Sequence, residues 1–192
     1  AACEQPFDTG LRIEREAFLA LRASPQSAAL RHAFFAEREA ARVPDLPREV
    51  RPRPIHSAAI IGAGTMGGGI AMCFANAGIP VTLVETNVDN LERGMDTIRR
   101  NYATSVKRGR FSEAQVEQFL ANFTGTTEYA DLARVDVVIE AVFENMAVKK
   151  EVFAKLDAHC KPGCILATNT SYLDVNAIAA ATGRPGDVIG AH

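Results

Sequence analysis

The chain has 192 residues, with 21 basic and 23 acidic side chains and a formal charge of −2. Hydrophobic residues make up 47% and charged residues 23%, which excludes wholesale disorder. The near-balance of charge argues against nucleic acid as a partner, because phosphate binding needs a basic face. No stretch reaches the roughly 18 consecutive apolar residues that suggest a membrane span.

Residues 1–10 carry Glu4 and Asp8 and no apolar run, so they do not read as a signal peptide. The chain opens without Met, and the expectation is a piece of a longer protein. Residues 1–43 read as a helical segment. Ile13, Ala17, Phe18 and Leu21 stand at helical spacing over 10–22, and Ser24-Pro25 is an N-cap followed by a first-turn proline. Leu30, Ala33, Phe34 and Ala41 then form the apolar stripe of a second helix. Residues 44–56 hold Pro44, Pro47, Pro52 and Pro54 among Arg48, Arg51 and Arg53, a density that blocks helix and strand and predicts a linker.

From residue 57 to 192 strand and helix signals alternate. Strands are predicted over 57–62, 81–85, 135–142, 164–168 and 187–190, and helices over 65–77, 112–120, 145–159 and 174–181. Val88, Leu91, Met95, Ile98, Tyr102 and Val106 mark a further amphipathic helix of about five turns. Ser112 with Gln115 forms a capping box, and Gly78 stops a helix before Pro80. Such alternation predicts right-handed crossovers and a parallel sheet, an α/β fold. Glu140 stands out inside an apolar strand, where it must cap a neighbouring loop or serve the site.

The sharpest motif is Gly62-Ala63-Gly64-Thr65-Met66-Gly67, which leaves one predicted strand and opens a helix. Gly62 permits the tight turn, Gly64 lets backbone approach a pyrophosphate, and Gly67 lets helix and strand pack closely. The second strand ends in Glu85, suited to accept hydrogen bonds from a ribose and to repel a 2′-phosphate. Thr86 and Asn87 follow with no arginine, which favours NAD over NADP. His159, Cys160 and Cys164 lack a fourth ligand, so no metal is expected. The four cysteines show no disulfide spacing and fit a reducing compartment. Cys73 is expected in the core, and His32 and His56 at the surface.

Together, residues 62–69 (GAGTMGGG), 138–144 (VIEAVFE), Asn169-Thr170-Ser171 and Gly190-Ala191-His192 resemble the NAD-binding domain of L-3-hydroxyacyl-CoA dehydrogenases. Residues 27–42 resemble the segment that joins enoyl-CoA hydratase to dehydrogenase in multifunctional fatty-acid β-oxidation enzymes, where a hydratase, or lyase, activity shares the chain. The resemblance implies a Rossmann-type doubly wound sheet over 57–192, preceded by the helical linker. It also implies oxidation of L-3-hydroxyacyl-CoA to 3-oxoacyl-CoA. Gly62, Ala63, Gly64, Thr65, Met66 and Gly67 then hold the pyrophosphate and Glu85 the ribose. Val142, Phe143 and Glu144 line the nicotinamide side, with Lys149 reaching the cofactor. Ser171 touches nicotinamide and the substrate's 3-oxygen, and His192 takes the hydroxyl proton, for which an imidazole with pKa near ~6.5 is suited. Asn101, Lys107, Arg108 and Asn169 are the implied acyl-CoA contacts. For Lys107 and Arg108, with Arg110, a solvated helix end is the plainer reading.

In the family a glutamate follows the histidine, then an all-helical domain that completes the acyl-CoA site. The chain stops before both, and the hydratase part would lie upstream. The expectation is therefore a piece that binds NAD and turns over little substrate. A 3-hydroxyisobutyrate- or 6-phosphogluconate-type dehydrogenase is the alternative enzyme, and a non-catalytic NAD-binding module the alternative class. A bacterial-type cytoplasmic location is favoured, with the peroxisome as alternative.

Overall fold

The computed structural model describes residues 2–43, 46–47 and 49–192, so Pro44 and Arg48 of the linker lie outside the described residues. The chain forms two compact units, Ala1–Pro52 and Arg53–His192. The first unit holds a 3-10 turn (Ala2–Glu4) and two helices, α1 (Phe7–Arg22) and α2 (Pro25–Ala40). As expected, Ser24 caps α2, its Oγ accepting from the Ser27 N–H at 3.2 Å. α1 starts earlier than the apolar spacing suggested, because Pro6 caps it and Asp8 sits in its first turn. Leu21, Leu30, Phe34 and Phe35 are exposed along these helices.

The second unit is built on β1 (Ala58–Ile61), α3 (Thr65–Asn76), β2 (Val81–Val84), α4 (Val88–Lys107), α5 (Glu113–Leu120) and β3 (Phe123–Thr126). It continues through β4 (Val137–Glu140), α6 (Met146–His159), β5 (Ile165–Thr168), α7 (Val175–Ala179) and β6 (Val188–Gly190). The six strands are all parallel and run in the order β3-β2-β1-β4-β5-β6. The central strands read as apolar runs because both of their faces are covered. Ile60 and Leu83 pack against α3 and α4, whereas Ala59, Ile61 and Val138 pack against Phe153 and Leu156 of α6. Each fully buried aliphatic side chain of this kind contributes about 1.5–3 kcal/mol.

The strand β3 has no counterpart in the sequence reading. Its Phe-Thr-Gly-Thr sequence is short, partly exposed and paired on one side only, so it carries neither alternation nor an apolar run. Cys73 also departs from expectation. It is exposed, while Ala71 and Ala75 on the same helix take the buried positions.

The N-terminal edge of the sheet is tied by Asp136. Its Oδ2 accepts from the backbone N–H groups of His56 and Ser57 at 2.8 and 3.1 Å, and its Oδ1 accepts from Lys161 Nζ at 2.5 Å. The Lys161 hydrogen bond, helped by the His56 N–H, pulls the carboxyl from 3.8 to about 2 against the opposing effect of burial. A depressed carboxyl stabilises the fold above its unfolded value and loses that contribution as pH falls through the folded one. Asp136→Asn is therefore expected to lower the Tm at pH 7, by a difference that closes as the pH approaches about 2. Melting curves of both proteins between pH 7 and acid measure that closure.

Candidate functional site

The strand order reverses between β1 and β4, because β1 is bonded to β2 on one side and β4 on the other. Loops leaving those strands diverge and open a crevice at their C-terminal ends. A cleft of about 1010 Å³ lies there, lined by Gly62, Gly64, Met66, Glu85, Val142 and Phe143 among others.

The glycine loop forms the floor of the cleft. Gly62 has φ +100°, a conformation L side chains avoid, and a Cβ there would lie 2.9 Å from the Ala141 carbonyl oxygen. At Gly67 a Cβ would sit 1.8 Å from the Gly62 carbonyl oxygen, so the helix can press on the loop only without a side chain. Gly64 is different, since a Cβ there would meet nothing within 4 Å. Its requirement for glycine comes from whatever approaches the backbone from outside. Gly64 caps α3 without a side chain, and the first intrahelical bond runs from the Gly68 N–H to its carbonyl at 2.8 Å. The N–H groups of Thr65, Met66 and Gly67 precede that bond and have no intrahelical partner, which makes the helix start a receptor for negative charge.

Glu85 stands across the loop. Its Oε1 accepts from the Ala63 N–H at 2.8 Å and its Oε2 from the Thr86 N–H at 2.9 Å, so the carboxylate is fixed in the cleft wall. Ala63 and Gly67 lie behind the cleft, Ala63 orienting Glu85 and Gly67 seating the helix. Thr65 lines the cleft beside Met66, which is more than half exposed, and Phe143 stands almost fully exposed at its lip.

A second cluster stands at the ends of β5 and β6. Ser171 Oγ and His192 Nε2 are 3.1 Å apart. Asn169 donates from Nδ2 to the Ala191 carbonyl at 2.7 Å and so fixes the backbone that carries His192. Glu144 holds the Ser171 loop, its Oε1 accepting from Thr170 Oγ1 and, at 3.0 Å, from the Ser171 N–H. Burial pushes the Glu144 carboxyl up, but the bonds from Thr170, Ser171 and Lys149 outweigh it and leave it below its ordinary value.

Two groups of predicted site residues stand elsewhere than expected. Lys149 does not reach the cleft. It is fully buried, with Nζ 2.6 Å from Glu140 Oε1 and 3.3 Å from Glu144 Oε2, because two carboxylates behind the loop claim its charge. Glu140 in turn caps the loop after β4 by accepting the Val142 N–H at 2.8 Å, the first of the two roles foreseen for it. The four substrate contacts are not brought together. Asn169 spends its amide on Ala191, whereas Asn101, Lys107 and Arg108 are exposed along α4 and at its cap. α4 runs back from the C-terminal end of β2, which carries Lys107 about 28 Å along the helix axis from Val88. The sequence reading missed Thr127, Tyr129 and Lys155 on the far wall of the cleft, the first two because β3, which leads into them, went unseen. Among the described residues no cluster of three or more His, Cys, Asp or Glu could hold a metal ion, and no helix is long and apolar enough to cross a membrane.

Residues 57–192 match the family described as 3-hydroxyacyl-CoA dehydrogenase, NAD binding domain. The peroxisomal bifunctional enzyme of Cavia porcellus is 43% identical over 201 residues, which takes in 100% of the chain and 27% of that protein. The chain thus spans about a quarter of the length of the curated relatives it matches. Among solved structures, FadB2 of M. tuberculosis has a TM-score of 0.71 at 38% identity, covering 72% of this chain and 49% of that one. The dehydrogenase part of multifunctional enzyme 1 from C. elegans has a TM-score of 0.69 at 36% identity, covering 77% and 35%.

The two glycines at the helix start should fail in different ways. Gly67→Ala must displace backbone and is expected to cost about 1–3 kcal/mol or more of stability. Gly64→Ala leaves the fold within about 1 kcal/mol of the parent, the cost of a poorer N-cap, yet abolishes tight NADH binding. Denaturant unfolding paired with calorimetric NADH titration separates the two effects.

Proposed function

The chain belongs to the 3-hydroxyacyl-CoA dehydrogenase family through its NAD-binding domain, and from that premise we propose that it is the cofactor-binding part of a longer multifunctional enzyme that oxidises L-3-hydroxyacyl-CoA to 3-oxoacyl-CoA in fatty-acid β-oxidation. The observation that carries this reading is the 3.1 Å approach of Ser171 Oγ to His192 Nε2 after β5 and β6, on the same C-terminal edge of the parallel sheet as the cleft. The residues present fit NAD: the Gly64 backbone is open to an approaching group, the start of α3 offers free N–H groups, and Glu85 is fixed to receive hydroxyls.

In this reading Gly64, Thr65 and Met66 bind the pyrophosphate through backbone N–H groups, and Glu85 holds the adenosine ribose. Val142 and Phe143 cover the nicotinamide side and exclude water. NAD, when bound, supplies the acceptor for the hydride that leaves C3. His192 removes the hydroxyl proton at Nε2, and Ser171 Oγ orients the imidazole and the 3-oxygen. Asn169 keeps His192 in reach through Ala191, a positioning role in place of a substrate contact. Asn101, Lys107 and Arg108 are left as exposed groups that could meet the distal phosphates of CoA.

Sequence outside the chain completes the reaction. A carboxylate beyond His192 would stabilise the imidazolium, and a further domain would close over the acyl chain. The family match weighs against a 3-hydroxyisobutyrate- or 6-phosphogluconate-type enzyme. The peroxisomal relatives support the peroxisome over the bacterial cytosol as the site of the longer protein.

NADH is expected to bind the chain more tightly than NADPH. Glu85→Ala should weaken NADH by roughly 1.5–3 kcal/mol, the worth of hydrogen bonds to a charged group, and narrow the preference over NADPH. Calorimetry is the measurement, since the chain has no Trp to report binding. In the full-length protein His192→Gln should lower kcat by roughly 10²–10⁴-fold, the usual worth of a general base. Wild-type turnover retained in that variant would leave the NAD-binding module without catalytic function as the better reading.

A further inference from the structure

We propose that Glu140 is a positioning residue for the oxidation: through Lys149 and Glu144 it sets where Ser171 presents its hydroxyl to His192. This rests on the functional reading above and names a residue that reading does not use.

Glu140 is 0% exposed and satisfied at both oxygens. Oε1 accepts from Lys149 Nζ at 2.6 Å and from the Val142 N–H at 2.8 Å, and Oε2 accepts from Thr168 Oγ1 at 2.7 Å. One carboxylate therefore fastens the loop after β4, the helix α6 and the end of β5. Its own backbone cannot drift, because Glu140 pairs in register with Ile61 on one side and Thr168 on the other. Its carbonyl also accepts the Asn169 N–H at 2.9 Å.

The charge count decides what this anchor does. Two carboxylates, Glu140 and Glu144, share one buried ammonium, held at 2.6 Å by the first and 3.3 Å from the second. Glu140 thus keeps Lys149 deep, and Glu144 retains its other oxygen for Thr170 and the Ser171 N–H. Without the charge on Glu140, Glu144 becomes the single anionic partner of a desolvated ammonium. The attraction is strong in so dry a setting and draws Glu144 off the Ser171 loop. A buried ion pair is weak support for stability, since a neutral pair of similar volume often serves as well. Keeping this one is explained by what it positions.

Glu140→Gln retains an acceptor and the volume while removing the charge. In the full-length enzyme kcat is expected to fall about 10–100-fold, the cost of a misplacement near 1 Å, with KM and NADH affinity unchanged. In the 192-residue chain the Ser171 amide proton should move upfield and exchange faster with solvent. Unchanged kcat with an unchanged Ser171 amide overturns the proposal, as does a loss of NADH affinity equal to the loss of kcat. If Glu140→Gln does not fold, Glu140→Gln/Lys149→Met removes the ammonium together with the charge on Glu140, so the Ser171 amide is expected to stay at its wild-type position, and a displaced, fast-exchanging Ser171 amide in that variant overturns the proposal. A wild-type enzyme with no dehydrogenase turnover would sink the functional reading alone, because the Ser171 amide still reports whether Glu140 sets that loop.

Discussion

A carboxylate in the middle of a parallel sheet has few ways to exist. Glu140 is fully buried in β4, and the cost of leaving it unpaired would exceed the worth of several core side chains. The fold meets this by bringing three donors to it from three elements, and those donors define the geometry around the cleft. Val142 is fixed at the cleft wall because its N–H is one of them. Lys149 is drawn inward because its ammonium is another, and the start of α6 follows. Thr168 is the third, and the Asn-Thr-Ser segment that follows it is aimed by that bond. The local order of the site is in this sense a solvation problem solved by backbone placement.

The glycine loop solves a different problem. Three glycines meet three separate limits: a positive φ at Gly62, a helix pressed on the loop at Gly67, and open space at Gly64. α4 adds a fourth contact, for a Cβ at Gly94 would lie 2.3 Å from the Ala63 Cβ. That helix therefore also seats too closely on the loop to admit a side chain, and both sides of the first βα turn are held by packing. Glu85 then ties the loop to the end of β2 through Ala63.

How far the sequence could be read depended on what kind of force shaped each part. The buried strands and the long amphipathic α4 were legible, since burial on two faces or one stripe writes itself into residue order. The caps at Ser24 and Ser112 were legible for the same local reason, each needing one hydroxyl at one position. β3 was not, because an edge strand of Phe-Thr-Gly-Thr owes its state to its neighbour β2. The glycine motif and Glu85 could be placed by spacing. Lys149 could not, for its nearest carboxylate lies nine residues away in sequence and only the packing of α6 on β4 makes them partners. Asn169 was read as a ligand group because its bond to Ala191 spans 22 residues and leaves no trace in either segment.

The open position at Gly64 and the bare start of α3 carry one last consequence. The receptor for negative charge at that helix start is made of peptide N–H groups, which neither ionise nor change oxidation state. Its grip on an anion is therefore indifferent to acidity and to redox state across the range in which the backbone stays folded. At the ends of β5 and β6 the pairing is made of side chains instead, an imidazole against a hydroxyl on a loop held by Glu144. Substitution by evolution therefore acts on the two places differently, since a backbone receptor survives any side-chain change that keeps the loop's shape, whereas the Ser171–His192 pair is lost with either residue.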